Sequence, residues 1–226
     1  MKIFVLLFLL SGTAVASSCF EEHLRDSIAV NRSNRAAYAE LSGGKSNTVL
    51  NLLIGLERLS LASAWYFDWR AKEYNQKGIR LFCDEFLPMK KKPVVRSAPG
   101  PKLRPFDWES YEKELSDAVG RKDVEGIKAQ SLAAVRSLEA HPGTYCMLRH
   151  LFESIYRFAY FLPVHAEKAR ATGLEDPTSL SLFAIRLQVL SLITVHKIDR
   201  MSAPVQELGV PLLCNDLPPL LDDLTL

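Results

Sequence analysis

Residues 81–88 read LFCDEFLP, and a similar stretch, LLCNDLPP, recurs 131 positions later at residues 212–219. At this offset residues 49–88 align with residues 180–219 without a gap, and ten of the forty aligned pairs are identical. A leucine-rich chain gives roughly three identities by accident over such a length. The sequence therefore predicts an internal duplication that includes both copies of the stretch.

A second match precedes each copy at an offset of 127 positions. The pattern Cys-x-x-x-His-Leu begins at Cys19 and begins again at Cys146. We therefore predict two related units, the first at residues 17–88 and the second, with a short tail, at residues 146–226.

Apolar residues at helical spacing indicate that each unit is a helical hairpin. In residues 49–67 they recur every three or four positions, which is typical of a helix with an inward-facing stripe. Gly43 and Gly44 fit the turn before this helix, and Gly78 fits the left-handed residue after it. The predicted fold class is all-α: a helical bundle built from two tandemly duplicated helical hairpins, each closed by a disulfide, with an additional central helical hairpin.

Two segments separate the units. Residues 89–106 combine prolines with cationic residues and contain no acidic residue, so we expect a basic, proline-rich, exposed linker. Residues 107–145 are amphipathic on both sides of a turn at residues 120–123, which predicts the central hairpin, with Asp107 as its first cap. The alternative to a solvated linker is a contact with an anionic lipid surface or an acidic partner. The residues that would make this contact are Lys90, Lys91, Lys92, Arg96, Lys102 and Arg104.

Prolines set the predicted helix limits in the second unit. Pro163 is expected to kink or restart the first helix, because proline lacks the N–H group and crowds the preceding turn. Asp176 followed by Pro177 favours the start of the next helix. That helix is expected to stop near Ser202, before Pro204.

Residues 1–16 have the pattern of a secretory signal peptide, with Lys2 before an apolar run and small residues at the end. Cleavage is expected before Ser17. We therefore predict an exported protein, located in the periplasm or outside the cell. Lipid attachment at Cys19, which would make an outer-membrane lipoprotein, is the alternative.

The charge balance limits the possible partners. Without Lys2 the chain has 27 basic and 26 acidic residues, and such near-neutrality argues against nucleic-acid binding. Residues 49–67 and 180–198 are apolar enough to suggest membrane spans, but each contains charged side chains. A charge near the centre of a span costs about 2.5 to 3.5 kcal/mol. We therefore expect two buried core helices and no transmembrane span in the mature chain.

The four cysteines predict two disulfides, because an even number in an oxidising compartment normally pairs. When each unit is folded as a hairpin, a chain reversal after its long helix returns the late cysteine to the early one. The predicted pairs are Cys19–Cys83 and Cys146–Cys214. Pairing across the units is the alternative.

Each unit also repeats one histidine and one aspartate, and hairpin geometry predicts that they lie close together. Such a pair is either a buried hydrogen bond that satisfies both groups or a general base oriented by a carboxylate. The candidate catalytic pairs are His23 with Asp68 and His150 with Asp199. A zinc site is a further alternative, with Cys19, His23 and Cys83 as ligands and Asp68 as an optional fourth ligand.

No motif assigns a reaction to this chain. It has no glycine-rich phosphate loop, no nucleophile elbow and no His-Glu-x-x-His pattern, and neither a cofactor nor a metal site is predicted. Glu57 corresponds to Gln188, and Gly55 corresponds to Arg186, and we expect pairing among these residues across the units. We predict a binding or interaction module whose partner is another protein or an envelope component. The alternatives are an enzyme that uses the His–Asp pairs and a carrier of an apolar ligand.

Overall fold

The structure, a computed structural model, describes residues 18–87, 89, 92–215, 217 and 220–221. The predicted signal peptide, Lys90 and Lys91 lie outside these residues. Over the described residues the protein is all-helical, which confirms the all-α prediction. The helices are α1 (Cys19–Ser42), α2 (Ser46–Gln76), α3 (Trp108–Arg121), α4 (Val124–Leu138), α5 (Cys146–Ala171) and α6 (Thr178–Gln206).

Helices α1 and α2 pack along each other as a hairpin. Gly43 and Gly44, in the tight turn between them, have φ values of 60° and 83°. This left-handed region is open to glycine because it has no Cβ atom. Helices α5 and α6 pack against each other in the same way after a turn at Gly173.

A disulfide closes each hairpin. Cys19 at the start of α1 bonds to Cys83 after α2, and Cys146 at the start of α5 bonds to Cys214 after α6. The Cα–Cα distances are 5.0 and 5.1 Å. Both predicted pairings are confirmed, and the alternative of pairing across the units is wrong. Two disulfides are consistent with an exported protein.

The Cys19–Cys83 bond also excludes a zinc ligand and a lipid anchor at Cys19. A zinc ligand needs a free thiolate, and lipid attachment needs the same sulfur atom. Because that sulfur is bonded to Cys83, the zinc site and the lipidated Cys19 were wrong.

Between the two hairpins, α3 and α4 pack together as a third helical pair. Asp107 accepts a hydrogen bond from the Ser110 N–H group at 3.2 Å, as expected for the cap of α3. Asp123 caps α4 by accepting from the Gly126 N–H group at 2.8 Å. Each carboxylate satisfies an N–H group that has no partner within its own helix.

Helices α5 and α6 each continue through a proline, Pro163 in α5 and Pro204 in α6. The predicted restart at Pro163 and the predicted end of α6 near Ser202 were therefore wrong. Both prolines are exposed, whereas Leu162 and Ala203 beside them are buried. Packing of the buried face holds each helix together against the local cost of proline, about 3 kcal/mol.

The linker is exposed as expected, but it is tied to both hairpins. The Ser97 N–H group donates to the Gly209 carbonyl at 2.7 Å, just beyond α6. Arg96 donates from Nη2 to the Leu41 carbonyl near the end of α1 at 2.6 Å. Residues 92–105 are otherwise mostly exposed. The segment therefore follows the surface as a strap that joins the ends of the two hairpins.

Helix α5 is the central helix of the bundle. It packs against both α4 and α6, and its Phe152, Ile155 and Phe158 side chains are fully buried. Helix α6 is the one helix in the described part of the chain that is long and apolar enough to cross a membrane, judged by length and composition. Its most apolar window has a mean hydropathy of 1.6, and 39% of that window is buried. A core helix of a soluble protein meets the same criterion.

Candidate functional site

The two repeated aspartates hold the first turns of α1 and α5. Asp68 on α2 accepts the backbone N–H groups of the two residues after Cys19, at 3.1 and 2.8 Å. Asp199 on α6 accepts those of the two residues after Cys146, at 3.1 and 2.8 Å. The first N–H groups of a helix have no partner within it, and the helix dipole favours negative charge there. The carboxylates that were predicted to orient the histidines bond to helix N-termini instead.

Burial changes the acidity of both aspartates. It raises the pKa of Asp68 to about 6 and that of Asp199 to about 7, although the N–H groups oppose the change. The effect is larger at Asp199 because its side chain is fully buried. Each carboxylate is therefore held by hydrogen bonds in a place where its charge is poorly solvated.

The two repeated histidines lie beside each other, across the two hairpins. The rings of His23 on α1 and His150 on α5 are parallel within 5°, with centroids 6.4 Å apart. Nδ1 of His23 lies 2.8 Å from the Leu87 carbonyl oxygen, and because a carbonyl only accepts, this nitrogen carries the hydrogen. Burial lowers the pKa of His23. The neutral ring then has Nε2 as an acceptor for a further partner.

A cavity of about 190 Å³ lies next to these histidines, between the two hairpins. Its walls come from α1, α2, α5 and α6 and from the segments around the disulfide-bonded Cys83 and Cys214. Most of the lining is apolar, and much of it consists of residues related by the repeat offsets. The related apolar pairs are Phe20 with Met147, Leu24 with Leu151 and Phe86 with Leu217.

The polar side of the cavity is centred on Glu57. Its carboxylate accepts hydrogen bonds from the Ser27 hydroxyl and, at 3.3 Å, from the Asn31 amide. Both of these side chains are buried. Burial raises the pKa of Glu57 to about 7, although the two hydrogen bonds oppose the change. Near neutral pH the carboxyl group is therefore partly protonated.

Gln188, the counterpart of Glu57, lines the same cavity. Its side-chain oxygen Oε1 is buried and has no hydrogen-bond partner among the described residues. A buried polar atom without a partner costs about 1 to 3 kcal/mol. This oxygen would therefore gain from a ligand that donates a hydrogen bond.

Sequence reasoning did not single out a buried polar cluster that links the turn after α2 to α5. His165 is fully buried, with Nε2 at 3.3 Å from Oδ2 of Asp84 and Nδ1 at 3.3 Å from Oε1 of Glu85. Arg157 donates to the Asp84 carbonyl at 2.5 and 3.0 Å. The available signal was the acidic pair within the apolar stretch LFCDEFLP. Phe86, the residue after Glu85, lines the cavity.

No set of three or more His, Cys, Asp and Glu side chains in the described part of the chain is arranged to hold a metal ion. The chain has no significant match among protein-family models, curated proteins or solved structures.

Proposed function

We propose that this protein binds a small apolar molecule that carries a hydroxyl group or another hydrogen-bond donor. The binding site is the cavity between the two hairpins. The observation that carries the proposal is the unpartnered Oε1 of Gln188, buried in a mainly apolar wall. Ligand sites typically combine an apolar lining with a few polar groups that orient the ligand.

The volume and the polar groups together indicate the class of ligand. The cavity of about 190 Å³ is somewhat larger than an apolar cavity of about 150 Å³ that accepts benzene. It therefore suits one or two fused rings, or a short branched chain. Gln188 Oε1 and the Nε2 atom of neutral His23 are acceptors, so the complementary ligand group is a donor.

We further infer that the two hairpins are duplicated copies and that the cavity formed where they met. The matched capping by Asp68 and Asp199 supports this inference. The matched disulfides and the related pairs of lining residues support it as well. Residue 188 is glutamine, whereas the corresponding residue of the first hairpin is Glu57. The two sides of the cavity therefore differ chemically, and a ligand with one polar end has a preferred orientation.

The enzyme alternative has less support. It relied on Asp68 and Asp199 to orient the histidines, but both carboxylates accept backbone N–H groups, from α1 and α5 respectively. Binding of another protein or an envelope component remains a prediction for the outer surface of the molecule.

Two probes that differ by one hydroxyl group, 1-naphthol and naphthalene, test the proposal by isothermal titration. We expect both to bind, with 1-naphthol tighter. Leu151→Trp places a large side chain in the cavity and should abolish binding of both probes. Gln188→Leu should weaken 1-naphthol by about tenfold, the value of one hydrogen bond, and leave naphthalene unchanged.

Leu208→Trp is the matched control, because this leucine is exposed and lies outside the cavity. It should bind both probes as the unmodified protein does. The midpoint of thermal unfolding, Tm, identifies any variant that fails to fold. Absence of probe binding, or unchanged binding to a folded Leu151→Trp variant, would show that the cavity is not a ligand site.

A further inference from the structure

The outer faces of α2 and α6 carry most of the exposed apolar surface. Of twelve large hydrophobic side chains that are exposed among the described residues, nine belong to these two helices. Leu59 and Leu190, which are related by the repeat, are 77% and 60% exposed. Single exposed leucines are common on protein surfaces, but a contiguous apolar patch indicates a binding surface.

Part of this exposed surface forms a stripe along each helix. On α2, Leu52, Leu59 and Tyr66 follow each other at intervals of seven residues. Helical residues at this spacing lie on one face. On α6, the exposed residues Phe183 and Leu190 have the same interval.

Ring contacts join the two stripes. Phe183 on α6 lies 5.6 Å from Phe67 on α2, between ring centroids. Phe67 in turn lies 5.7 Å from Tyr66. One residue of each stripe, Tyr66 and Phe183, therefore lies beside the buried Phe67 ring, and we call the two stripes together the α2/α6 face.

The exposed charges on these two helices are mostly cationic. Of the seven exposed Arg, Lys, Asp and Glu side chains on α2 and α6, six are cationic, and the exception is Glu73, seven residues after Tyr66. The acidic residues Glu57, Asp68 and Asp199 point instead into the cavity or towards helix N-termini. The exposed cations are Arg58, Arg70, Lys72, Arg186, Lys197 and Arg200.

We propose that the α2/α6 face docks onto the surface of an anionic phospholipid bilayer. Apolar side chains enter the boundary between headgroups and acyl chains, while arginine and lysine contact the anionic headgroups. Trp69, whose ring lies 6.1 Å from that of Tyr66, borders this face and stacks with Trp65. Tryptophan is favoured at this boundary. A second copy of the chain is a less suitable partner. Two α2/α6 faces packed against each other would place cations opposite cations.

The proposal is tested by flotation with two kinds of vesicle, phosphatidylcholine alone and phosphatidylcholine mixed with phosphatidylglycerol. The protein used in this test starts at Ser17, the residue after the predicted cleavage site. The apolar residues 1–16 therefore cannot contribute to lipid binding. We expect the protein to float with the anionic vesicles about tenfold more strongly than with the neutral ones. Added salt should weaken this binding, since the charges on the face are exposed.

The double variant Leu59→Glu/Leu190→Glu should lose anionic-vesicle binding by about tenfold or more. Val95→Glu/Val164→Glu changes the net charge equally at exposed valines outside the α2/α6 face, and it should keep most of the binding. Equal losses in the two variants would show that net charge alone is responsible and would overturn the proposal.

Two other results would overturn it as well. One is the absence of binding to either vesicle. The other is a dimer in sedimentation velocity that Leu59→Glu/Leu190→Glu dissociates, because a second copy would then cover this face. These outcomes do not depend on the cavity, so they leave the proposed ligand site to its own test.

Discussion

Asp199 uses both carboxylate oxygens for the N-terminus of another helix. Its side chain is fully buried, and burial raises its pKa to about 7. The hydrogen bonds offset much of the cost of removing the group from water. A single side chain thereby fixes the start of α5 against α6.

We predict that Asp199→Asn lowers the free energy of unfolding by about 1 to 3 kcal/mol. The amide keeps one acceptor oxygen, but its NH₂ group then faces a backbone N–H donor, so one donor loses its partner. Urea denaturation at constant pH measures the loss.

Asp176→Asn is the control for this change. Asp176 also accepts a backbone N–H group, from Thr178 at 2.8 Å, but it is exposed. Water can replace that bond, so the loss should stay below about 1 kcal/mol. Equal losses at the two positions would contradict the importance of burial at Asp199.

At the scale of the helix, α5 shows that buried packing outweighs a local breaker. Pro163 lies on the exposed side of the helix, whereas Leu162 and His165 beside it are buried. The helix therefore continues through the proline although one backbone hydrogen bond is missing.

Pro163→Ala is expected to raise the free energy of unfolding by about 1 to 2 kcal/mol. Removal of the clash and recovery of the N–H group favour the helix by about 3 kcal/mol. The greater freedom of alanine in the unfolded chain cancels about 1 kcal/mol of this gain.

Glu167→Ala, one turn further along the exposed side of α5, provides the comparison. This surface change should alter the free energy of unfolding by about 0.5 kcal/mol or less. A destabilised Pro163→Ala variant would show that α5 needs the proline, and our account of the helix would then be wrong.

At the scale of the whole molecule, the His165 cluster joins the end of the first hairpin to α5 of the second. Burial alone lowers the pKa of a histidine, but the facing Asp84 and Glu85 raise that of His165 to about 9. The hydrogen bonds from His165 and Arg80 in turn lower the pKa of Asp84 despite its burial. The protonated histidine is therefore part of the contact between the hairpins.

This arrangement makes stability depend on pH. Because the folded state holds the His165 proton more tightly than the unfolded chain, its contribution is complete below about pH 6.5 and is lost as pH rises through about 9. We predict that His165→Gln removes about 2 to 3 kcal/mol at pH 6 and much less above pH 9. Urea denaturation at several pH values measures the difference from the unmodified protein.

His141→Gln serves as the control, because this histidine lies outside the cluster, next to Phe106 and Tyr145. Other titratable groups are present in every variant. Their pH-dependent contributions to the free energy of unfolding therefore cancel when each variant is compared with the unmodified protein. A loss at His165 that stays the same from pH 6 to pH 9 would mean that the histidine stabilises the fold by packing rather than by its charge.

The helices and the cysteine pairing were predictable from the sequence, since both depend on relations within one unit. Helical spacing and the glycines around Gly43 indicated α1 and α2. A chain reversal within each unit then selected Cys19–Cys83 and Cys146–Cys214, and the structure confirms both pairs. The residues that repeat, including His23 and Asp68, were also visible from the sequence.

Only the tertiary structure decided the partners of those residues. His23 meets His150 from the other hairpin, and Asp68 meets the start of α1, because the packing of helices determines which side chains face each other. The continuation of α5 through Pro163 has the same cause. The cavity forms between elements far apart in the chain, so no local pattern specifies its volume or leaves Gln188 Oε1 without a partner.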